Sequence, residues 1–188
     1  MAQSGGITTS PNLYSASEPP QGTLVVDRAQ SNGIQVDHRY VDQSNQPANT
    51  TTQFLSTGPV ILSTTEGAGP NGVSCTFSPP IAAPPWPPAV GKTFSSSGNC
   101  GSGTTVTIQG RIAGTQVATL KDGETFPVWV IDSTINLSGQ ITGSGTQVDW
   151  YSTALRIPVH EQTDIQGMYS GIHFTLHSVS DLVSSRPA

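Results

Sequence analysis

Charge is what this sequence has least of. Of its 188 residues, 7 are Lys or Arg and 12 are Asp or Glu, 10% in all, against roughly 25% in an ordinary globular chain. Cations this sparse cannot track a phosphate backbone, so nucleic acid is not an expected partner. Long apolar runs are missing too: none approaches the ~20 residues of a membrane-spanning helix. The opening Met1-Ala2-Gln3-Ser4-Gly5-Gly6 has neither a basic nor an apolar stretch and is not a signal peptide. No window sustains the 3.6-residue period of an amphipathic helix. The only cysteines are Cys75 and Cys100, with no Cys-x-x-Cys. Two thiols alone cannot make a four-ligand zinc site.

The missing charge is replaced by Ser, Thr, Asn and Gln, among short β-type runs separated by turn signals. Residues 1–21 are polar, with Pro11, Pro19 and Pro20, and are expected to be an N-terminal tail or linker. Residues 22–188 are expected to form one antiparallel β domain. Asn32-Gly33 and Asp122-Gly123 supply the positive φ angles of tight hairpins. Between them lie further expected turns at residues 67–71 and at Gly114, and Gly143-Ser144-Gly145 marks another. Residues 104–112 alternate, with Val106, Ile108 and Ile112 inward. Residues 125–137 carry Phe126, Val128 and Val130 on one face and Trp129 and Ile131 on the other, so this strand should be covered on both sides. Near the end, Ile172, Phe174 and Leu176 face in, and His173, Thr175 and His177 face out. The expected fold is an all-β meander of about ten strands, a strongly curved sheet or open barrel almost without helix. Residues 180–185 are the one place for a helical turn.

Each cysteine sits in a Gly/Ser/Pro-rich stretch, which suits a disulfide between Cys75 and Cys100. Two unpaired thiols are the alternative. The disulfide favours an oxidising compartment, hence an extracytoplasmic domain, secreted or anchored to the cell envelope, whose export signal has been removed. Between the cysteines, Pro79, Pro80, Pro84, Pro85, Pro87 and Pro88 exclude helix and central strand. An ordered polyproline-like crossing is expected there, with Trp86 or Phe94 packed beneath it.

The turn Asp122-Gly123-Glu124-Thr125-Phe126 leads into Val128-Trp129-Val130-Ile131. Asp149-Trp150-Tyr151-Ser152 and Leu155-Arg156-Ile157-Pro158-Val159 follow. Together with Cys75-Thr76-Phe77, Gly91-Lys92-Thr93-Phe94 and Cys100, these segments resemble uncharacterised secreted or lipoprotein-like β domains of actinobacteria. The resemblance covers roughly residues 74–179 and implies a long antiparallel sheet. Some such domains are similar to lipoprotein-carrier half-barrels, whose concave face holds lipid.

The chemistry-bearing residues are few. His160-Glu161-Gln162-Thr163-Asp164 begins like a zincin motif, but Asp164 stands where the second His is needed. On a strand, residues four apart lie ~13 Å from each other, too far to share a metal. No Gly-x-Ser-x-Gly elbow is present, and a carboxylate pair such as Asp132 and Asp149 arises easily by chance. Asn49 and Asn136 begin glycosylation sequons, which two chance matches explain. No enzyme activity, metal or cofactor is therefore expected. Trp129 and Trp150 suit the core; Trp86, Trp150 and Tyr151 are nevertheless the candidate ligand-binding residues. The leading expectation is a non-enzymatic domain holding a lipid or other hydrophobic or amphipathic ligand, or an envelope protein, on a curved sheet face. A carbohydrate-binding module recognising an envelope glycan through exposed aromatics, and a purely structural surface domain, are the alternatives.

Overall fold

A computed structural model describes residues 1–10, 15–17, 22–29, 32–40, 48–66, 73–82, 84–101 and 103–185. They form strands β1 (Ala2–Ser10), β2 (Ser15–Ser17), β3 (Thr23–Ala29), β4 (Ile34–Tyr40), β5 (Ala48–Leu55), β6 (Gly58–Glu66) and β7 (Val73–Ala82). β8 (Thr93–Cys100), β9 (Thr104–Thr119), β10 (Thr125–Gly139), β11 (Ile141–Ser152), β12 (Ile157–Tyr169) and β13 (Ile172–Asp181) complete the set. No helix occurs among the described residues. The thirteen strands make one antiparallel sheet in the order β2-β1-β13-β12-β11-β10-β9-β8-β7-β6-β5-β4-β3.

The meander curls into a half-barrel whose ends are tied together. Gly22 N donates to the Met1 carbonyl and the Met1 ammonium donates to the Gly22 carbonyl, both at 3.0 Å. This pair continues the β1–β2 register, in which Gly6 faces Ser17 and Thr8 faces Ser15. One stretch of chain thus starts on β1 as β2 and ends on β4 as β3. Across the concave side, Arg28 Nη2 donates to the Leu155 carbonyl at 2.6 Å and Gln35 Nε2 to the Arg156 carbonyl at 3.0 Å. Arg39 meets Glu161 at 3.5 Å. β3 and β4 therefore face the β11–β12 end of the same sheet.

The expected two-sided cover of β10 is present. Its inner face buries Ile131 and Ile135 beside Ile112 of β9. Its outer face buries Val128, where Ala118, Leu120 and Val159 pack with Phe126, Trp150, Leu155 and Leu182. A second core on the concave side gathers Cys75, Phe77, Ile81 and Cys100 against Ile61, Val106 and Ile108. Cys75 and Cys100 are disulfide-bonded, with Cα atoms 5.0 Å apart. Elsewhere the outer face is mostly hydrophilic: Ser95, Ser97, Asn99, Thr134, Asn136, Ser144, Thr146, His173, Thr175 and His177 are exposed, with Val25 and Met168 as apolar exceptions. This is the pattern of a sheet with one face in water.

Asn32-Gly33 and Asp122-Gly123 are turns, with Gly33 at φ 69° and Gly123 at φ 88°. Other local expectations fail. Residues 2–10, expected in a tail, form β1, because β13 offers a complete ladder from Ala2–Asp181 to Ser10–His173. Gly114 does not turn the chain: Ile112 faces Ile131 and Gly114 faces Val130, so Ala113 is one unopposed residue in a continuous β9. A bulge of this kind absorbs the extra residue and bends the strand. Gly143-Ser144-Gly145 lies inside β11, and the chain turns at Gly139, φ 109°, and Gln140 instead. β7 runs through Pro79 and Pro80, whose missing N–H groups fall where its ladder to β6 is interrupted, between Thr76 and Ile81. Residues 180–185 make no helical turn. The expected turn at 67–71 and much of the expected tail lie outside the described residues.

Candidate functional site

Antiparallel pairing places directly opposed residues on one face, so the ladders can be read as rows crossing the concave side. One row is Gln3, Ser180, Glu161, Asp149, Ile131 and Ile112. The next, two residues along each strand, carries Ser178, Thr163, Gln147 and Ser133 between Gly5 and Gly110. The third is apolar: Ile7, Leu176, Ile165, Gly145, Ile135 and Ile108. The fourth holds Phe174, Leu137 and Val106 around Gly167 and Gly143. Successive rows are ~7 Å apart. The interior is thus graded from acidic and amide groups, through hydroxyls, to hydrocarbon.

The glycines have a steric role. Gly110 faces Phe94, and a Cβ on Gly110 would stand 2.5 Å from the Phe94 ring and 2.7 Å from Ser133 Oγ. Gly167 faces Phe174, with 2.7 Å from an added Cβ to the ring. In both pairs the aromatic ring lies over the glycine and covers backbone that no side chain of its own protects.

The acidic row is electrostatically strained. Asp149 and Glu161 are directly opposed on neighbouring strands. Asp149 lies deep among protein atoms while keeping part of its surface open, and its pKa is pushed up to about 7. Desolvation is the main cause and the Glu161 charge the second. Gln147 Nε2, donating to both Asp149 oxygens at 3.0 and 3.1 Å, and the Arg39 charge pull the other way. Nearby on β4, burial raises the Asp37 pKa against hydrogen bonding from Gln35 and the charges of Arg39, Arg28 and His38. Tyr151 is pushed up to about 12, first by burial and then by Asp37. Along this row, Gln3 and Ser180 are 7% and 5% exposed, and Gln3 Oε1 and Ser180 Oγ are buried with no hydrogen-bond partner.

At the far end of the concave face from the apolar rows, the Pro-rich segment folds over the sheet. Pro84, Pro85, Trp86 and Pro88 close against Pro59, Trp129, Ile131 and Tyr151, leaving a cavity of about 10 Å³. That is room for about one water at most. Trp86 N donates to the Thr57 carbonyl at 3.4 Å, and Lys92 Nζ to the Pro87 carbonyl at 2.9 Å, holding the segment in place. Trp86 keeps 44% of its surface exposed.

The three residues singled out from sequence are therefore split. Trp86 and Tyr151 line one cleft, with Trp129 beside them. Trp150 is on the opposite face, its ring centroid 4.6 Å from that of His160 and its side chain against the outer core. Asp132 and Asp149 do not pair: Asp132 faces outward to Arg111 at 3.1 Å, while Asp149 faces in. His160 and Glu161 also point to opposite faces, His160 to Asp181 at 2.7 Å and Glu161 to Arg39. The opposed Asp149–Glu161 pair and the buried Gln3–Ser180 pair escaped the sequence reading. Parity within each strand was available for all four residues, but the register that joins them was not.

No known protein family, curated protein or solved structure matches this chain.

Proposed function

We propose that this protein is a non-enzymatic, extracytoplasmic binding domain that holds an amphipathic ligand along the concave face of its sheet. The observation that carries this reading is the graded interior: an acidic and amide row, a hydroxyl row, then two apolar rows whose members Ile7, Ile108, Leu137, Ile165, Phe174 and Leu176 are only half-buried. Hydrocarbon left half-open on a concave surface favours an apolar occupant, at ~25 cal/mol per Å² covered. A polar end beside it fixes the occupant's direction, as in other small-molecule sites. The Cys75–Cys100 disulfide supports an oxidising compartment, secreted or at the envelope. The hydroxyl-covered outer face supports an aqueous rather than a lipid surround.

Native mass spectrometry after mild purification, together with titration of a neutral lipophilic dye, tests the reading. A copurified amphipath or saturable dye binding is expected. Ile165→Glu, which puts a charge in the middle of the apolar row, should abolish dye uptake while the oxidised fold is kept. Absence of both copurified lipid and dye binding in the unmodified protein would remove the proposal.

A further inference from the structure

The acidic row is chemically lopsided. It presents acceptors: the Asp149 and Glu161 carboxylates, Gln3 Oε1 and Ser180 Oγ. The last two are buried without partners. An amide oxygen can only accept, and the opposed Ser180 hydroxyl, though able to donate, makes no bond to Gln3 Oε1, so the donor must come from elsewhere. Leaving such a group buried and unpaired costs about 1–3 kcal/mol. Asp149 and Glu161 also share one guanidinium, Arg39, 3.5 Å from Glu161, and Arg39 acts on Asp37 as well. At Asp149 the Glu161 charge outweighs that of Arg39.

We propose that this row is the head-group subsite for an amphipath bearing a primary ammonium group. The proposal rests on the amphipath reading above and names the ligand class. An ammonium carries three N–H donors, no acceptor and a single positive charge. It supplies what Gln3 Oε1 lacks and eases the repulsion between the opposed Asp149 and Glu161 carboxylates. A carboxylate or phosphate head would be repelled by Asp149 and Glu161. A quaternary ammonium would balance the charge but leave Gln3 Oε1 unpaired. A divalent cation would suit the oxygens but be opposed by Arg39 twice as strongly as a single charge. The row of Ser178, Thr163, Gln147 and Ser133 spans the linker atoms between head and tail, and the Ile165–Leu176 row receives the chain. The raised pKa of Asp149 is consistent with this: a proton partly balances the site until a cation takes its place.

The test is competition against bound Nile red in the oxidised protein, with monomeric dodecylammonium, dodecanoate and dodecyltrimethylammonium, and separately with calcium ion. Dodecylammonium should bind at least tenfold tighter than either other amphipath. In Glu161→Gln and Gln3→Leu that preference should shrink to within about threefold, with dodecanoate binding unchanged or improved. Urea midpoints confirm that each variant is folded, and the comparison in the unmodified protein needs no variant. Three amphipaths binding alike, or dodecanoate binding tightest, overturns the head-group assignment and leaves the amphipath reading standing. Calcium binding that blocks dodecylammonium at equal concentration overturns it in favour of a metal. If neither dye nor any amphipath binds, both readings fall together.

Discussion

Replacing Asp149 with Asn should change how stability depends on pH. In the folded chain burial, and then the Glu161 charge, push the Asp149 pKa up to about 7 from an ordinary value of 3.8. Between those limits the folded protein keeps a proton that the unfolded chain releases, so stability must fall as pH rises through this window. At 1.36 kcal/mol per pKa unit, the full difference is up to about 4 kcal/mol, present below pH 4 and lost by pH 8. Most of the loss should come at about 1.4 kcal/mol per pH unit between pH 5 and 7. Asn keeps one acceptor for Gln147 Nε2 and cannot ionise. Asp149→Asn should therefore match the parent near pH 4.5 and exceed its stability by several kcal/mol at pH 8. Urea unfolding of both proteins, disulfide intact and followed by tryptophan fluorescence, at half-unit steps from pH 4.5 to 8.5 measures this. The histidines and distant carboxylates are common to both chains, so the difference between the curves reports Asp149 together with its coupling to Glu161. Parallel curves would refute the reasoning, as would a parent protein that gains on the variant as pH rises.

Two other perturbations follow from the packing. Removing the disulfide with Cys75→Ala and Cys100→Ala opens a loop of separation 25, and should cost about 3.5 kcal/mol on the chain-entropy account, read as a lower urea midpoint. Gly110→Ala should cost about 1–3 kcal/mol by overpacking, because the added methyl meets the Phe94 ring at 2.5 Å. Most of that cost should vanish when the same change is made in a Phe94→Ala background, in a double-mutant cycle.

Much of the sheet is legible in single-strand alternation. Ile172, Phe174 and Leu176 differ from His173, Thr175 and His177 strongly enough to assign inside and outside before any partner is known, and the structure keeps that assignment. The two-sided burial of β10 is legible for the same reason. What alternation cannot supply is register. Asp149 and Glu161 each have a parity, but their meeting depends on the β11–β12 ladder and on the bulge that leaves Val159 unopposed between Pro158 and His160. On β4 the polar set Gln35, Asp37 and Arg39 faces inward, because the Arg156 carbonyl and Glu161 on the opposite wall provide partners for Gln35 and Arg39, and Gln35 in turn bonds Asp37. Burial of polar groups is decided by partners brought from far along the chain. β1 was hidden because Ala2 to Ser10 has a single large apolar residue, Ile7, and two glycines. The edge of β13, not its own propensity, makes it a strand.

The seam between β1 and β13 has a consequence for the order of folding. Among the described residues every other ladder joins strands next to each other in sequence, whereas this one matches Ala2 with Asp181. Local hairpins close quickly and long loops slowly. During synthesis the meander can zip from one hairpin to the next, but its first strand must wait for nearly the whole chain to emerge. The seam is then the last joint to form. A ligand captured while it is still open would be enclosed by the final act of folding rather than admitted afterward.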